Sequence, residues 1–310
     1  MTRFVYVSPD SNTPTGGIKV IYKHAELLCE LGIPAAVAHI TPGFSCDWFS
    51  HRAPVITLND MLRTDIAIVP EIMTVLGNHF AANGVRYCMF VQNGYLVLPT
   101  APMNEVYACY RDATAILSIS EDTSDYLAGV FPEFAHKIVR VKYSVDVSRF
   151  SVGEKRLKAT YMPRKQALHA NNLVPWLVRQ FPSWEFQPIH GMHEDVVADH
   201  LKSSRVFLAF SDFEGCPVPP LEAALCGNVV VGYPGWGGRE YWEAPNFLPV
   251  DMGDIRQFAE KFRRATAASM NAEAAQALWP GIQRLAREYG LQTEKMLLLQ
   301  AVQRICVSLR

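Results

Sequence analysis

Short β-type runs alternate with helix-type segments along almost the whole chain, and that alternation leaves few folds open. In the first half, residues 3–8 form an apolar β run, and the Pro/Thr/Gly-rich stretch 9–17 follows. Residues 18–31 then have helical spacing, with Ile18, Ile21, Ala25 and Leu28 on one face, and Gly32 and Pro34 end the helix. Further β runs are expected at 35–40, 65–70, 87–92, 115–120 and 139–143, with helical or irregular pieces between them. Ser120 suits a helix N-cap, Asp122 favours the positive end of that helix, and the helix is expected to run to about Val130, ahead of Pro132.

The second half repeats the scheme. Strands are expected at 159–162, 185–190, 206–210 and 228–233. Helices are expected at 172–181, 195–201, 219–225 and 255–268, and over most of a tail from about 280 to 309. Such alternation argues for parallel, doubly wound α/β sheets. A length of 310 residues exceeds one typical core and suits two domains, 1–150 and 151–310, joined through the polar, charge-rich stretch 146–158. The last helix is expected either to present a solvated face or to pack back across to the first domain. Two such domains facing each other would leave a cleft, with ligands at the carboxyl ends of the strands.

Composition narrows the function classes. With 49% hydrophobic and 19% charged residues, the chain has material for buried cores and is not a disordered tail. Lys+Arg number 29 against 30 Asp+Glu, so no global basic field exists to hold nucleic acid or a membrane. The seven cysteines are odd in number and lack CxxC spacing, which reads as reduced thiols in a cytoplasmic protein. The opening apolar run is too short for a signal peptide, and no stretch approaches the ~18 apolar residues of a spanning helix.

The most informative segment is 210–231, read as strand, loop, helix, strand. Pro219 and Pro220 suit a first helical turn, and Gly227 suits the end. The amides around Gly215, Cys216, Pro217 and Val218 then point out of a helix N-terminus, a ready site for phosphate. Glu214 and Glu222 flank it. Carboxylates repel phosphate but accept hydrogen bonds from vicinal sugar hydroxyls. A diphosphate between two sugars matches that layout, while an ordinary capped helix with a dipole-stabilising Glu222 stays open as the plain alternative. Gly16 and Gly17, between the first strand and its helix, would allow close backbone approach to a phosphate or sugar, or simply make a turn.

The pair Glu214 and Glu222, with Glu-Gly at 214–215, Pro-Leu-Glu-Ala at 220–223 and Cys-Gly-Asn-Val-Val-Val at 226–231, resembles the Glu-x7-Glu signature of family-4 retaining glycosyltransferases. Thr15-Gly-Gly-Ile-Lys, followed by His24-Ala-Glu-Leu-Leu, resembles their N-terminal glycine loop. The resemblance covers nearly the whole chain in order and is strongest over 205–242. It implies the GT-B fold, two Rossmann-like domains around a central cleft, with the acceptor on the N-terminal side and the nucleotide sugar on the C-terminal side. By this match Glu214 takes the donor sugar, Glu222 takes the ribose, and Gly215, Cys216, Pro217 and Val218 approach sugar and diphosphate. Arg164 and Lys165 stand where the family places cations near the diphosphate, although here they are adjacent. Many relatives carry a His where this chain has Gln92, Asn93 and Tyr95, so amides would replace its hydrogen bonds. Gly191, in the His190–His193 loop, is expected to let the base approach the backbone; the two histidines are weak evidence for metal. Trp236 and Trp242 are expected in the core, with aromatics walling the acceptor side as the alternative.

The expected function is a metal-independent hexosyl transfer from a nucleotide-diphosphate sugar to a saccharide or lipid-linked hydroxyl, without a bound cofactor, of the kind used in bacterial surface polysaccharide or glycolipid synthesis. Nucleic acid is not an expected partner; peripheral contact with the inner face of a membrane is open. The rival readings are a sugar-nucleotide epimerase or hydrolase of the same fold, separable by product analysis, and a non-catalytic nucleotide-sugar-binding subunit. A nicotinamide-dependent dehydrogenase is a further rival that absence of NAD binding would dispose of.

Overall fold

The computed structural model describes residues 2–308. The chain divides into two units. One comprises everything through Tyr143 together with the stretch from Glu294 onward, and the other is Ser144–Thr293.

The first unit is built on β1 (Phe4–Val7), α1 (Gly16–Glu30), β2 (Ala35–His39), β3 (Val55–Thr57), β4 (Ile66–Pro70), α2 (Thr74–Ala82), β5 (Tyr87–Val91), α3 (Met103–Asp112), β6 (Ile116–Ser118), α4 (Glu121–Val130) and β7 (Ile138–Arg140). Its seven strands lie in the order β3-β2-β1-β4-β5-β6-β7, every pair parallel. Strands β1, β2, β4 and β5 are buried along their whole length, as a parallel sheet covered by helices on both faces requires. The register sets Phe4 opposite Ala35 on one side and Ile66 on the other.

The second unit contains β8 (Lys158–Tyr161), α5 (Ala167–Gln180), β9 (Glu185–Pro188), α6 (Glu194–Ser203), β10 (Val206–Phe210), α7 (Val218–Leu225), β11 (Val229–Tyr233), the single turn α8 (Gly235–Gly238), β12 (Phe247–Pro249), α9 (Ile255–Met270), α10 (Ala272–Gln276) and α11 (Trp279–Glu288). Five parallel strands run β12-β11-β10-β8-β9. The central strands β10 and β11 are buried, while the edge strand β9 is largely exposed. A last helix, α12 (Leu291–Ser308), begins in the second unit and gives its residues from Glu294 onward to the first. There the Glu294 carboxylate lies 3.3 Å from His24 Nε2 on α1, both side chains fully buried. The same nitrogen lies 3.1 Å from the Lys142 carbonyl oxygen, which can only accept, so Nε2 carries the proton.

The two doubly wound parallel sheets read from the sequence are therefore present, with local differences. α1 starts at Gly16 rather than 18, because Thr15 is the extended N-cap residue. Gly16 and Gly17 are thus in the first helical turn and not in the loop before it. α5 starts at Ala167 rather than 172 and carries Pro175 inside it; buried Ala170, Leu173 and Leu177 hold its inner face. Strand β7 covers 138–140, not 139–143. The three-residue strands β3 and β12 are too short to show a period. Trp236 is not in the core, being 36% exposed with the Arg239 guanidinium 3.9 Å over its ring.

Ser120 caps α4, its hydroxyl oxygen accepting from the Thr123 amide at 3.0 Å. Ser120→Ala should lower stability by about 1 kcal/mol. Thermal unfolding would register a fall of a few degrees, and an unchanged midpoint would show that the cap is dispensable.

Candidate functional site

In an open parallel sheet the crevice lies where successive connections leave on opposite sides. In the second unit that point falls between β8 and β10. The chain passes from β8 to β9 on one side, and after β10 it goes to β11 on the other. The loops leaving the carboxyl ends of these two neighbouring strands carry Lys165 and Glu214. Their side chains meet, Lys165 Nζ lying 2.5 Å from Glu214 Oε2. Glu214 is 17% exposed and Lys165 39%, so the pair is open to solvent on one side. Arg164, on the same loop, is exposed.

Beside this pair α7 begins. Pro217 is the N-cap residue, in extended conformation, and Pro219 and Pro220 fill the first turn. Pro217, Pro219 and Pro220 carry no N–H, so Val218 is the one donor among the first residues of this helix, and the aligned peptide dipoles make that end positive. The Pro217 carbonyl is held by the buried Tyr241 hydroxyl, which donates at 2.6 Å. Glu222 lies one turn further along and is half-buried. The α8 turn closes over the loop from the β11 side, where the Gly237 amide donates to the Glu214 carbonyl at 2.9 Å. A Cβ at Gly237 would lie 1.6 Å from the Gly215 carbonyl oxygen, so only glycine permits this approach. Phe213 and Trp236 stack at 6.2 Å with Phe213 57% exposed, which gives the same end of the sheet a half-open aromatic pair.

Gly191 lies beyond β9 with φ +62°, a conformation that explains glycine there on backbone grounds alone. Its neighbour His193 is occupied as the α6 N-cap, its Nδ1 accepting weakly from the Asp195 amide at 3.4 Å. Among the described residues, no three His, Cys, Asp or Glu side chains converge as a metal-ligand set.

The first unit has its own switch point, between β1 and β4. The loop after β1 is anchored by Asp10, which accepts from His39 Nδ1 at 2.8 Å and from the Thr41 amide at 2.8 Å. Burial opposes the Asp10 charge, but these donors outweigh it and hold the carboxyl below its usual range. His39 is pushed down by burial, against the pull of Asp10, so it is neutral near pH 7; its Nε2 accepts from the Tyr22 hydroxyl at 2.6 Å. The anchored loop delivers Gly16 and Gly17 to the head of α1. Gln92 Nε2 donates to the Gly17 carbonyl at 3.1 Å. Asn93 Oδ1 accepts from the Tyr95 amide at 3.1 Å, and the Tyr95 hydroxyl donates to Asp122 at 2.9 Å.

The fold thus gathers the residues singled out from sequence into two groups, each at the switch point of its own sheet. Lys165, Glu214, Gly215, Cys216, Pro217, Val218 and Glu222 form one, with Arg164 on the same loop as Lys165 and Gly191 on the next loop. Gly16, Gly17, Gln92, Asn93 and Tyr95 form the other. One participant, Glu71, has no local signal in the sequence. Glu71, directly after β4, accepts from the Asn93 amide at 2.9 Å. Gly237, in the Gly-rich run 235–238 that the sequence marks as a strand-to-helix turn, sets how closely α8 meets the Glu214 loop.

No protein-family model matches the chain, and no curated protein matches it. Solved structures do. Sucrose-phosphate synthase from Thermosynechococcus elongatus superposes with TM-score 0.74 at 11% identity, covering 99% of this chain and 100% of that one. Anabaena HepE in complex with UDP-glucose gives TM-score 0.69 at 13% identity over 98% and 100%. The lipopolysaccharide outer core galactosyltransferase WaaB gives 0.68 at 14% over the full length of both. At these identities the likeness establishes the fold alone, two Rossmann-like parallel-sheet domains of GT-B type.

Proposed function

We propose that this chain is a glycosyltransferase that takes a nucleotide-diphosphate sugar as donor. The observation carrying the reading is the Lys165–Glu214 pair, 2.5 Å apart at the β8/β10 switch point beside the N-terminus of α7. One cation, one carboxylate and the N–H groups of Gly215, Cys216 and Val218 at a proline-rich helix start are groups that suit a sugar diphosphate. Lys165, the positive end of α7 and the N–H groups of Gly215, Cys216 and Val218 meet phosphate charge, and Arg164 adds a second cation on the same loop. Glu214 accepts from sugar hydroxyls, and Glu222 from the ribose. The charge that builds on the leaving diphosphate is stabilised by fixed cations and dipoles without proton transfer. Transfer is proposed to be retaining and to need no metal, with the acceptor a saccharide or lipid-linked hydroxyl in surface polysaccharide or glycolipid synthesis. No side chain is assigned as nucleophile.

HepE is described in complex with UDP-glucose, which makes that donor the first probe. A thermal-shift and calorimetric panel of nucleotide-diphosphate sugars should give at least one donor that raises the melting point, because a ligand that binds only the folded chain stabilises it. Product analysis then decides the reaction. Free sugar or an epimerised donor formed without acceptor marks a hydrolase or epimerase, and binding without any turnover across an acceptor panel marks a non-catalytic subunit. Glu222→Ala should weaken binding of the nucleotide itself by about 1–3 kcal/mol, as the ribose loses an ionised acceptor. Equal affinity of wild type and variant in calorimetry would remove the ribose role.

A further inference from the structure

Glu71 is an acid in an unusual place. It is 4% exposed, directly beyond β4, at the switch point of the seven-stranded sheet. Its carboxylate receives the Asn93 amide at 2.9 Å. The backbone there is the turn leaving β5, and the Gln92 side chain on that turn reaches across to the Gly17 carbonyl on α1. Gly17 is close-fitted to it, since a Cβ there would lie 3.3 Å from Gln92 Nε2. Asn93 in turn holds the Tyr95 amide, and Tyr95 holds Asp122 on α4. One buried carboxylate therefore sits behind Gln92, Asn93 and Tyr95, the residues singled out at this switch point, and through Gln92 behind Gly17.

We propose that Glu71 is a positioning residue at the switch point of the seven-stranded sheet, its carboxylate gripping the Gln92–Asn93 turn so that the Gln92 amide holds the head of α1. The inference rests on the transferase reading for its functional part and on these contacts for its structural part. An ionised carboxyl only accepts, which suits amide donors. A protonated one presents an O–H to those same donors, and the turn loosens. Burial, only partly offset by the amides of residues 71, 92 and 93, pushes the Glu71 carboxyl up to about 7. The change therefore falls within the working pH range. A carboxyl raised on folding contributes stability that is fully present below its unfolded value, near 4.5, and is lost as pH rises through about 7. Grip and stability thus run in opposite directions with pH.

The elements packed on this turn carry other titratable groups. They are Tyr87 and Cys88 on β5, Tyr95 in the following turn, His79 on α2, Glu105, Tyr107, Cys109, Tyr110, Arg111 and Asp112 on α3, and Glu121, Asp122, Asp125 and Tyr126 on α4, of which Asp122 bonds the Tyr95 hydroxyl. Burial raises Tyr87, Cys88 and Tyr110, so these stay neutral around pH 7. His79 is exposed and is the group to control for.

Wild type, Glu71→Gln, Glu71→Ala and His79→Gln are compared from about pH 5.5 to about 8.5, bracketing the raised carboxyl. Without ligand, the amide resonances of Gln92 and Asn93 and the Gln92 side-chain resonance are followed by NMR. All three should titrate together near pH 7 in wild type and His79→Gln, and stay flat in both Glu71 variants. With UDP-glucose, release of UDP should fall about fivefold from the alkaline to the acid end in wild type, the difference expected between an ionised and a neutral acceptor. In Glu71→Gln it should be flat at the acid-end level, and the thermal stability of that variant relative to wild type should grow with pH. Amides that do not titrate, or that titrate equally in Glu71→Gln, overturn the inference whatever the donor. Titrating amides with an unmoved Gln92 side chain, or with a pH-independent release of UDP, reduce Glu71 to a structural group and overturn the positioning role. If wild type neither binds nor consumes any nucleotide-diphosphate sugar, the transferase reading falls, and the ligand-free titration still decides whether Glu71 grips the turn.

Discussion

Lys165→Ala is expected to slow sugar transfer by about 100- to 1,000-fold while moving the melting point by no more than about 2 °C. The two halves of that expectation come from one geometry. Lys165 is more than a third exposed, and its ion pair with Glu214 borders solvent. Pairs of that kind contribute little to folding, because water screens the attraction and two long side chains must be held still. A developing charge on a leaving diphosphate is different, since it appears only in the transition state and meets a cation already in place. Before donor arrives, that cation is committed to Glu214 at 2.5 Å. On the proposed reading, donor binding divides Lys165 between carboxylate and phosphate, and the Glu214 oxygen so released accepts from the sugar. Glu214→Gln should accordingly bind free UDP at least as well as wild type, having lost a negative charge beside the phosphates, yet turn over at least about tenfold more slowly. Lys165→Arg keeps the charge but not the point-like ammonium and should recover only part of the rate. Transfer by Lys165→Ala at more than a tenth of the wild-type rate would place the leaving-group cation elsewhere.

That pair also shows where sequence reading stops. Glu214 and Lys165 are each recognisable alone, because a strand, a turn and a helix start are local patterns. Their contact depends on β10 lying next to β8, a choice made by nonlocal strand pairing. Ser120 is the opposite case. The cap, the acidic first turn and the hydrogen bond to Thr123 all lie within four consecutive residues, and the structure reproduces them. Helices α2 and α3 went unseen for a packing reason. Gly77 sits inside α2, where it weakens any helical signal, and a Cβ there would lie 2.5 Å from Cys109 Sγ on α3. The glycine is a contact between helices and reads locally as a breaker. Glu71 was hidden for a third reason. An acid after a strand and before a helix looks like a dipole-stabilising first-turn residue, and nothing in its neighbours announces that it is 4% exposed. Burial is a property of the finished sheet, and an acid kept there at the switch point is legible only once strand order is known.

The second large effect is expected at Gly237. Gly237→Ala should lower the melting point of the second unit by about 10 °C, or prevent its folding, and should abolish donor binding at temperatures where the unit persists. The new methyl carbon would lie 1.6 Å from the Gly215 carbonyl oxygen, 2.3 Å from its carbon and 3.0 Å from the Glu214 carbonyl oxygen. All three are backbone atoms, so no rotamer change relieves the overlap and the two loops must separate. Overpacking of this kind costs about 3 kcal/mol or more. For a unit of roughly 150 residues, each kcal/mol corresponds to about 2–4 °C. Separation breaks the bond from the Gly237 amide to the Glu214 carbonyl and carries the Glu214 side chain away from Lys165. Binding should therefore fail by displacement of the carboxylate, with every proposed ligand group still present in the sequence. Gly16→Ala is the matched control, because a Cβ there meets nothing within 4 Å. It should leave the melting point within about 1 °C, helical alanine being no worse than glycine, and any loss of donor affinity in it reports crowding by the added methyl. If Gly237→Ala instead melts with wild type and binds UDP-glucose undiminished, the α8 turn moves freely off the Glu214 loop, and the position of Glu214 owes nothing to it.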